Sequence, residues 1–470
     1  MNIIHISAEC YPVAKVGGLA DVVGALPKYQ KGSNTSSQVI MPFYNNKFTK
    51  ENNFHTIYNG VINLDAEPYD FRVLTLTENT LDFDVFFIDV PELLFKDYVY
   101  SMDDTERFLS FQISALDWLL TWDTFPDIIH CHDHHTGLIP FMLQESYKYE
   151  VFRKIPNILT IHNAQYQGWF SHEKVGLIPP FNFEKVGLLD WGGSINPLAS
   201  AIKCAWGVTT VSPSYMEELK GAANGLESLL STESEKCSGI LNGIDWAVWN
   251  PETDEYIIKN YNSKTVISGA KANKKYLCDT FNLDFEKPLF AFIGRLVDEK
   301  GSDLFPEAFK IALEKNNATI LLLGSGNDLV ENQLELLKKD YIGTYNAYIG
   351  YDEKLSHIIY AGADFLLMPS RVEPCGLNQM YALRYGTIPI VRSIGGLKDT
   401  VIDITEENGF GICHENVTVS EITEAIDRGV TLYKDSSKYK TIRNHIMEID
   451  HSWNVSAKEY INLYNTIKTD

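Results

Sequence analysis

Residues 371–379 read Arg-Val-Glu-Pro-Cys-Gly-Leu-Asn-Gln, just ahead of an apolar, helix-like run from Gln379 to Arg384. Glu373 supplies an acceptor for hydroxyl groups. The backbone of Cys375, Gly376, Leu377 and Asn378 supplies N–H donors where a helix begins, a position that favours an anion. Together they suit a ligand carrying both a sugar hydroxyl and a phosphate. Near the other end of the chain, Lys15-Val-Gly-Gly-Leu19 places a cation beside Gly17 and Gly18, ahead of a helical pattern through Leu26. Bare backbone there permits close approach of a diphosphate. A Gly-Gly turn is often a simple chain reversal, and Lys15 is what brings the ligand reading level with it. The pattern is neither a Walker A loop nor a dinucleotide-binding turn.

A second pair of cations lies in Gly294-Arg-Leu-Val-Asp-Glu-Lys-Gly301. Arg295 and Lys300 can neutralise a departing diphosphate, whose charge grows as a glycosidic bond breaks. Alone, the stretch reads equally as a solvated loop with an internal pair among Asp298, Glu299 and Lys300; together with Glu373 the diphosphate reading prevails. Thr160-Ile-His-Asn-Ala-Gln-Tyr-Gln-Gly-Trp169 is a strand ending in His162, followed by amide and aromatic groups of the kind that hydrogen-bond to and stack on a pyranose. Tyr351, after Ile349-Gly350, is a weak signal by itself, although an aromatic there could stack on a base. Gly324-Ser-Gly326 and Gly395-Gly396 read as ordinary turns.

Two patterns invite a metal and are read otherwise. His130-Cys-His-Asp-His-His135 has ligand-type residues, yet no second cluster of His or Cys completes a set. A polar turn at a strand end, with Asp133 facing a cleft, is the preferred reading. Asp82-Phe-Asp84 sits inside a β-forming run, Leu81–Val90, so its carboxylates decorate a strand face.

Short apolar runs alternating with helical patterns must position these groups. Strands are expected at Ile3–Ile6, Gln38–Met41, Phe83–Ile88, Asp127–His130, Ile158–Ile161 and Gly207–Val211. The second half repeats the theme at Leu289–Ile293, Ala318–Leu323, Ala347–Ile349, Phe365–Met368 and Ile388–Val391, with helices such as Glu106–Leu120 and Asp352–Ala361 between strands. This alternation implies an α/β fold of βαβ units with parallel sheets, whose ligands gather at the carboxyl ends of strands. Turn residues cluster at Asn242–Asp254. The expected division is a Rossmann-like domain over 1–245, a second over 246–450, and a terminal helix over 451–470 returning to the first.

At 470 residues the chain exceeds one ordinary core. Its hydrophobic content of 45% and charged content of 22% are those of a soluble globular protein. A formal charge of −22 argues against nucleic acid or an anionic membrane as partner, and not against a neutral polysaccharide. Seven scattered cysteines fit reduced thiols in a cytoplasmic protein. The N-terminus reads as a first strand rather than a signal peptide, and no run approaches the ~18 apolar residues of a membrane span.

The chain resembles the bacterial glycogen synthases and plant starch synthases. The likeness runs from Lys15 to Pro27 and through His132-Asp-His-His-Thr-Gly137, Thr160–Asn163 with Tyr166-Gln-Gly168, and Thr210–Tyr215. It continues at Ile240–Asp245 with Trp249-Asn-Pro251, Gly294–Leu296 with Lys300-Gly301, Pro369–Gln379, Tyr381–Gly386 and Gly395–Thr400. The resemblance implies a GT-B architecture, two Rossmann-like domains facing across a deep cleft. It implies a retaining glucosyltransferase that elongates an α-1,4-glucan (glycogen or a maltooligosaccharide) from ADP-glucose or, less favoured, UDP-glucose, with no metal and no cofactor. By the same resemblance Lys15, Gly17 and Gly18 contact donor phosphates, and Arg295 and Lys300 hold the diphosphate. Glu373 binds glucose hydroxyls or stabilises the cationic ring, and Cys375, Gly376, Leu377 and Asn378 cap sugar and phosphate. His162 lies near the anomeric carbon or the 6-hydroxyl, Asp133 and Asn242 support that pocket, and Tyr351 stacks on the base.

Two segments depart from the family pattern. Residues 30–37 replace the usual apolar and basic lead into the second strand, and residues 96–103 are shortened where relatives carry a Pro/Gly-rich loop near the acceptor. Two rival readings are weaker. A glucan phosphorylase needs a pyridoxal-phosphate lysine pocket and usually a much longer chain. A non-catalytic relative would be expected to have lost at least one of Lys15, His162, Arg295, Lys300 and Glu373.

Overall fold

The computed structural model describes every residue except Ser33, Asn316 and Asp470, and the backbone alone of Thr469. Ser33 falls in the divergent 30–37 stretch and so lies outside the described residues. The chain divides into two compact units: Met1–Asn242 with Trp453–Asp470, and Gly243–Ser452. The change of unit comes at Asn242, ahead of the break expected after residue 245.

Unit 1 is built on a nine-stranded sheet. Its strands are β1 (Asn2–Ile6), β2 (Ser36–Pro42), β3 (Phe54–Leu64), β4 (Glu67–Leu76), β5 (Asp84–Asp89), β6 (Ile128–His132) and β7 (Asn157–Ile161). A small hairpin, β8 (Asp190–Trp191) and β9 (Ser194–Ile195), stands apart, and β10 (Gly207–Thr210) and β11 (Cys237–Gly239) complete the sheet. The order is β11-β10-β7-β6-β1-β2-β5-β4-β3, parallel except for the β3–β4–β5 edge. Strands β1, β6, β7 and β10 are almost wholly buried, as befits apolar runs covered on both faces. The antiparallel β3–β4 hairpin, which turns at Asp65 with φ +55°, was not expected; β3 is mostly exposed and carries no continuous apolar run. Asp82 precedes β5 rather than lying in it, and pairs with Lys28 at 3.0 Å.

The helix Trp453–Thr469 packs on the helix Gly18–Gln30, burying Trp453, Ala457, Tyr460 and Tyr464 against Ile3, Leu26, Ile128 and Ile158. Residues from both ends of the sequence therefore share one core.

Unit 2 has six parallel strands: β12 (Leu289–Ile293), β13 (Thr319–Gly324), β14 (Tyr345–Ile349), β15 (Phe365–Met368), β16 (Ile388–Arg392) and β17 (Ile412–His414). Their order is β14-β13-β12-β15-β16-β17, so the winding reverses between β12 and β15. At such a switch point the loops that follow the two strands diverge to opposite faces and leave a crevice. The loops holding Arg295, Lys300 and Glu373 are those two loops. No helix among the described residues is long and apolar enough to cross a membrane.

Candidate functional site

In unit 2 the fold brings Lys300 to Glu373. Lys300 Nζ lies 2.5 Å from Glu373 Oε2, which also accepts from Ser370 Oγ at 2.9 Å. The Glu373 side chain is 8% exposed and that of Lys300 26%. A carboxylate this buried needs a partner to stay charged, and the lysine supplies it. Among the described residues Glu373 Oε1 has no hydrogen-bond partner, so one oxygen remains for a ligand.

The surrounding bonds hold the two loops in register. Arg371 donates to both carboxylate oxygens of Asp303 at 2.6 and 2.8 Å and to the Asp298 carbonyl at 2.6 Å. Its own N–H donates to the Glu299 carbonyl at 2.7 Å. Asn378 Nδ2 donates to the carbonyl of Ile293, at the end of β12, at 2.8 Å. The internal pair considered for the 298–300 loop does not form with Lys300; Arg295 instead faces Glu299 at 3.8 Å and is 72% exposed.

Gly395 and Gly396, read from sequence as an ordinary turn, buttress this loop. Gly395 has φ +46°, and a Cβ there would meet the Glu373 carbonyl at 2.1 Å; one on Gly396 would meet the Cys375 carbonyl at 2.1 Å. Only glycine permits that approach. Cys375 is buried, and Gln379 Nε2 donates to the carbonyls of Cys375 and Gly376 at 3.1 and 3.0 Å. Gly376 itself has φ +74°, Leu377 stands at the helix N-cap, and the helix over Asn378–Arg384 is seven residues long. Tyr351 is exposed, after Gly350 and the end of β14.

In unit 1 the loop after β1 carries a residue the sequence reading missed. The buried Glu9 accepts from the N–H of Val16 at 2.5 Å and of Gly17 at 3.0 Å through Oε2, and from the Tyr100 hydroxyl at 2.5 Å through Oε1. The Gly17 amide, expected to face a phosphate, is thus held by a carboxylate of its own chain. The physical reason is that a turn favouring an anion folds onto the nearest one. Lys15 is paired with Asp21 at 2.7 Å. A Cβ added at Gly17 or Gly18 would meet nothing within 4 Å, so their outer faces are open.

Asp133 follows β6 with φ +56° and is buried, accepting the His162 N–H at 2.7 Å. Its carboxylate therefore holds the backbone at the end of β7. Burial pushes its pKa up to about 7, against the opposing pull of the backbone N–H groups of His162 and Asn163. Asn242, also buried, keeps an Oδ1 with no hydrogen-bond partner among the described residues.

The histidines are brought together differently from the sequence expectation. Parallel register sets His5 of β1 directly beside His130 of β6, and His132 projects from the same face two residues on. Sequence reading found no further residue to complete a ligand set; the fold adds His5, and the three rings could reach one cation. Yet all six ring nitrogens are already in hydrogen bonds. His5 meets His132 at 3.0 Å and Gln30 at 2.8 Å; His130 meets Tyr464 at 2.7 Å and Thr160 at 2.6 Å; His132 also meets His162 at 3.0 Å. This arrangement is a polar network of the core. Burial lowers the pKa of His5 to about 4 and that of His162 to about 3.

Beyond His134 lies a cavity of about 380 Å³ lined by residues of unit 1, among them Ser101, Asp103, His134, Tyr166 and Trp169. Tyr166 and Trp169 are 59% and 75% exposed and offer ring faces. Gly168, with φ +69°, lets the loop press on the His134 ring, which a Cβ would meet at 2.3 Å. The 96–103 segment, divergent in sequence, contributes part of this wall.

Family comparisons cover most of the chain. The starch synthase catalytic domain matches residues 2–232 and the glycosyl transferases group 1 family matches residues 279–444. A glycogen synthase from Flavobacterium johnsoniae is 53% identical over 99% of both chains, and one from Thermodesulfovibrio yellowstonii is 36% identical over 99% of this chain and 97% of its own. Among solved structures, the catalytic domain of starch synthase IV from Arabidopsis thaliana, bound to ADP and acarbose, superposes with a TM-score of 0.86 at 32% identity, covering 100% and 99% of the two chains. Sucrose-phosphate synthase from Thermosynechococcus elongatus, at 17% identity, matches at a TM-score of 0.63 over 100% and 99%, a likeness of fold. The chain belongs to the glycogen and starch synthase family of GT-B glycosyltransferases.

Proposed function

We propose that this protein is a glycogen synthase that transfers glucose from ADP-glucose to the non-reducing-end 4-hydroxyl of an α-1,4-glucan, releasing ADP with retention of configuration, in the cytoplasm and without a metal cofactor. The observation that carries the reading is the Glu373–Lys300 pair at the switch point of unit 2, with one carboxylate oxygen left unpartnered among the described residues. The catalytic-domain structure of a relative with ADP and acarbose supports a nucleotide donor and a glucan-like acceptor. Seven reduced cysteines support the location.

In this reading Lys300 and the exposed Arg295 receive the diphosphate as its charge develops, and Glu373 accepts a glucose hydroxyl or stabilises the positive ring. Cys375, Gly376, Leu377 and Asn378 cap the sugar and phosphate, and Tyr351 stacks on the base. On unit 1, Lys15 with the open faces of Gly17 and Gly18 takes donor phosphate, while Asp133 and Asn242 support the pocket. His162 addresses the sugar. The cavity beside Tyr166 and Trp169 takes the glucan, whose pyranose faces match exposed aromatic rings. Charges fixed in advance favour the transition state because they need not reorganise as the bond breaks.

The test is transfer of labelled glucose to a glycogen primer from ADP-glucose or UDP-glucose, with and without chelator. Chelator-resistant extension that prefers ADP-glucose is expected. Preference for UDP-glucose would replace the donor, and no transfer by folded protein would overturn the enzyme reading.

A further inference from the structure

The buried histidines of unit 1 form a chain with a direction. Gln30 closes one end: its Oε1 accepts from Ser37 Oγ at 2.8 Å and lies 2.8 Å from His5 Nε2, while its Nε2 donates to the Tyr464 hydroxyl at 3.1 Å. An amide oxygen carries no proton, so the proton of that contact belongs to His5 Nε2. A neutral imidazole has one N–H, so His5 Nδ1 is a lone pair and accepts from His132 Nε2–H at 3.0 Å. By the same rule His132 Nδ1 accepts from His162 Nε2–H at 3.0 Å. His162 is then left with a bare Nδ1, which has no hydrogen-bond partner among the described residues. Burial keeps the rings neutral, since His5, His132 and His162 are all held below the ordinary histidine value by desolvation.

We propose that His5 and His132 are positioning residues that lock His162 in its Nε2–H tautomer and so present Nδ1 as an acceptor for a hydroxyl of the sugar. The proposal rests on the reading that His162 addresses the substrate, and it adds what sets the polarity of that contact. His162 lies at the end of β7, its backbone fixed by Asp133 and its ring by His132, so neither rotation nor proton exchange is free. A ring that donated through Nδ1 would require every bond in the chain to reverse and the Gln30 amide to flip. That flip would set the Gln30 Nε2 against Ser37 and its Oε1 against Tyr464.

The first measurement is nitrogen NMR of the whole enzyme labelled at histidine, above pH 7, with His162 assigned by the loss of its signals in His162→Gln. Protons on Nε2 of His5, His132 and His162 are expected; a proton on Nδ1 of His162 overturns the proposal. The second compares His132→Phe, which fills the space and accepts nothing, with His132→Asn, whose side-chain oxygen can replace Nδ1. The Phe variant should lose about 10–100-fold in kcat, the worth of one hydrogen bond to the reacting sugar, with donor KM little changed and a mixture of tautomers at His162. The Asn variant should recover most of kcat. Equal loss in both variants, or an unchanged tautomer with full kcat in the Phe variant, overturns the positioning role. Should His132→Phe fail to fold, the wild-type spectrum still decides the tautomer. Because that spectrum needs no substrate, a failure of the glucosyl-transfer reading remains distinguishable from a failure of the chain.

Discussion

Replacing Lys300 by alanine removes the partner of a carboxylate that is 8% exposed and leaves Glu373 only the Ser370 hydroxyl. Breaking a fully buried pair costs ~3–5 kcal/mol because a bare charge stays in the interior. Lys300 is 26% exposed, so water screens part of this; a loss of ~2–3 kcal/mol is the reasoned figure, read as a lower urea midpoint. Turnover with ADP-glucose should fall about a hundred- to thousandfold, the ~2.7–4 kcal/mol of one donor to developing negative charge. Glu373→Ala should cost less stability, since Lys300 can turn toward water, and should lower turnover far more than donor binding. The double variant separates the two roles. With no charge left unpaired it should be at least ~1 kcal/mol more stable than Lys300→Ala, yet remain as slow. The reasoning is refuted if Lys300→Ala keeps turnover within about threefold of the parent, or if the two stability losses simply add.

Gly395→Ala forces a Cβ toward the Glu373 carbonyl at 2.1 Å with φ +46°, so it should destabilise by ~1–3 kcal/mol and slow turnover; a variant with parental kcat would show that the Glu373 loop tolerates displacement. Arg295→Met, at an exposed side chain with a long ion pair, should leave the urea midpoint within ~0.5 kcal/mol of the parent while turnover drops at least about tenfold. Equal turnover would remove Arg295 from diphosphate binding. Stability should fall as pH drops below the ordinary histidine value. His5, His134 and His162 have folded pKa values lowered to about 4, 4 and 3, so the unfolded chain takes up protons first. Each removes up to ~1.4 kcal/mol per pH unit, whereas Asp133, raised to about 7, works in the opposite sense for one proton. A urea midpoint that is flat or rising from about pH 7 to about pH 5 would contradict this balance.

The parallel strands were legible because sheets covered on both faces demand continuous apolar runs such as Leu289–Ile293 and Ile158–Leu159. Groups that follow such strands were legible for the same reason, since parallel strands deliver them to one edge. The β3–β4 hairpin was not, because an edge hairpin exposed on one side shows only broken alternation. Glu9 was missed because a lone acid carries no spacing signal; its role appears only when the chain folds back at Val16 and Gly17. Gly395 looked like any turn until the Glu373 carbonyl stood against it. The histidine cluster was visible as ligand-type residues, yet its third member, His5, is set by strand register and not by nearness in sequence.

The helix Trp453–Thr469, which lays Tyr464 against Gln30 and His130, leaves the ribosome only after the whole of unit 2. Everything between Asn242 and Trp453 is translated while the core of unit 1 still lacks its final side chains, an interval on the order of tens of seconds at ordinary rates of synthesis. During that time the histidine network has no tyrosine to close it, and the apolar faces of Ile3, Leu26 and Ile128 are incompletely covered. Completion of unit 1 is therefore a record that translation has passed through the whole of unit 2. A nascent chain stalled or truncated between residues 415 and 452 has every strand of both sheets and lacks the piece that finishes the first.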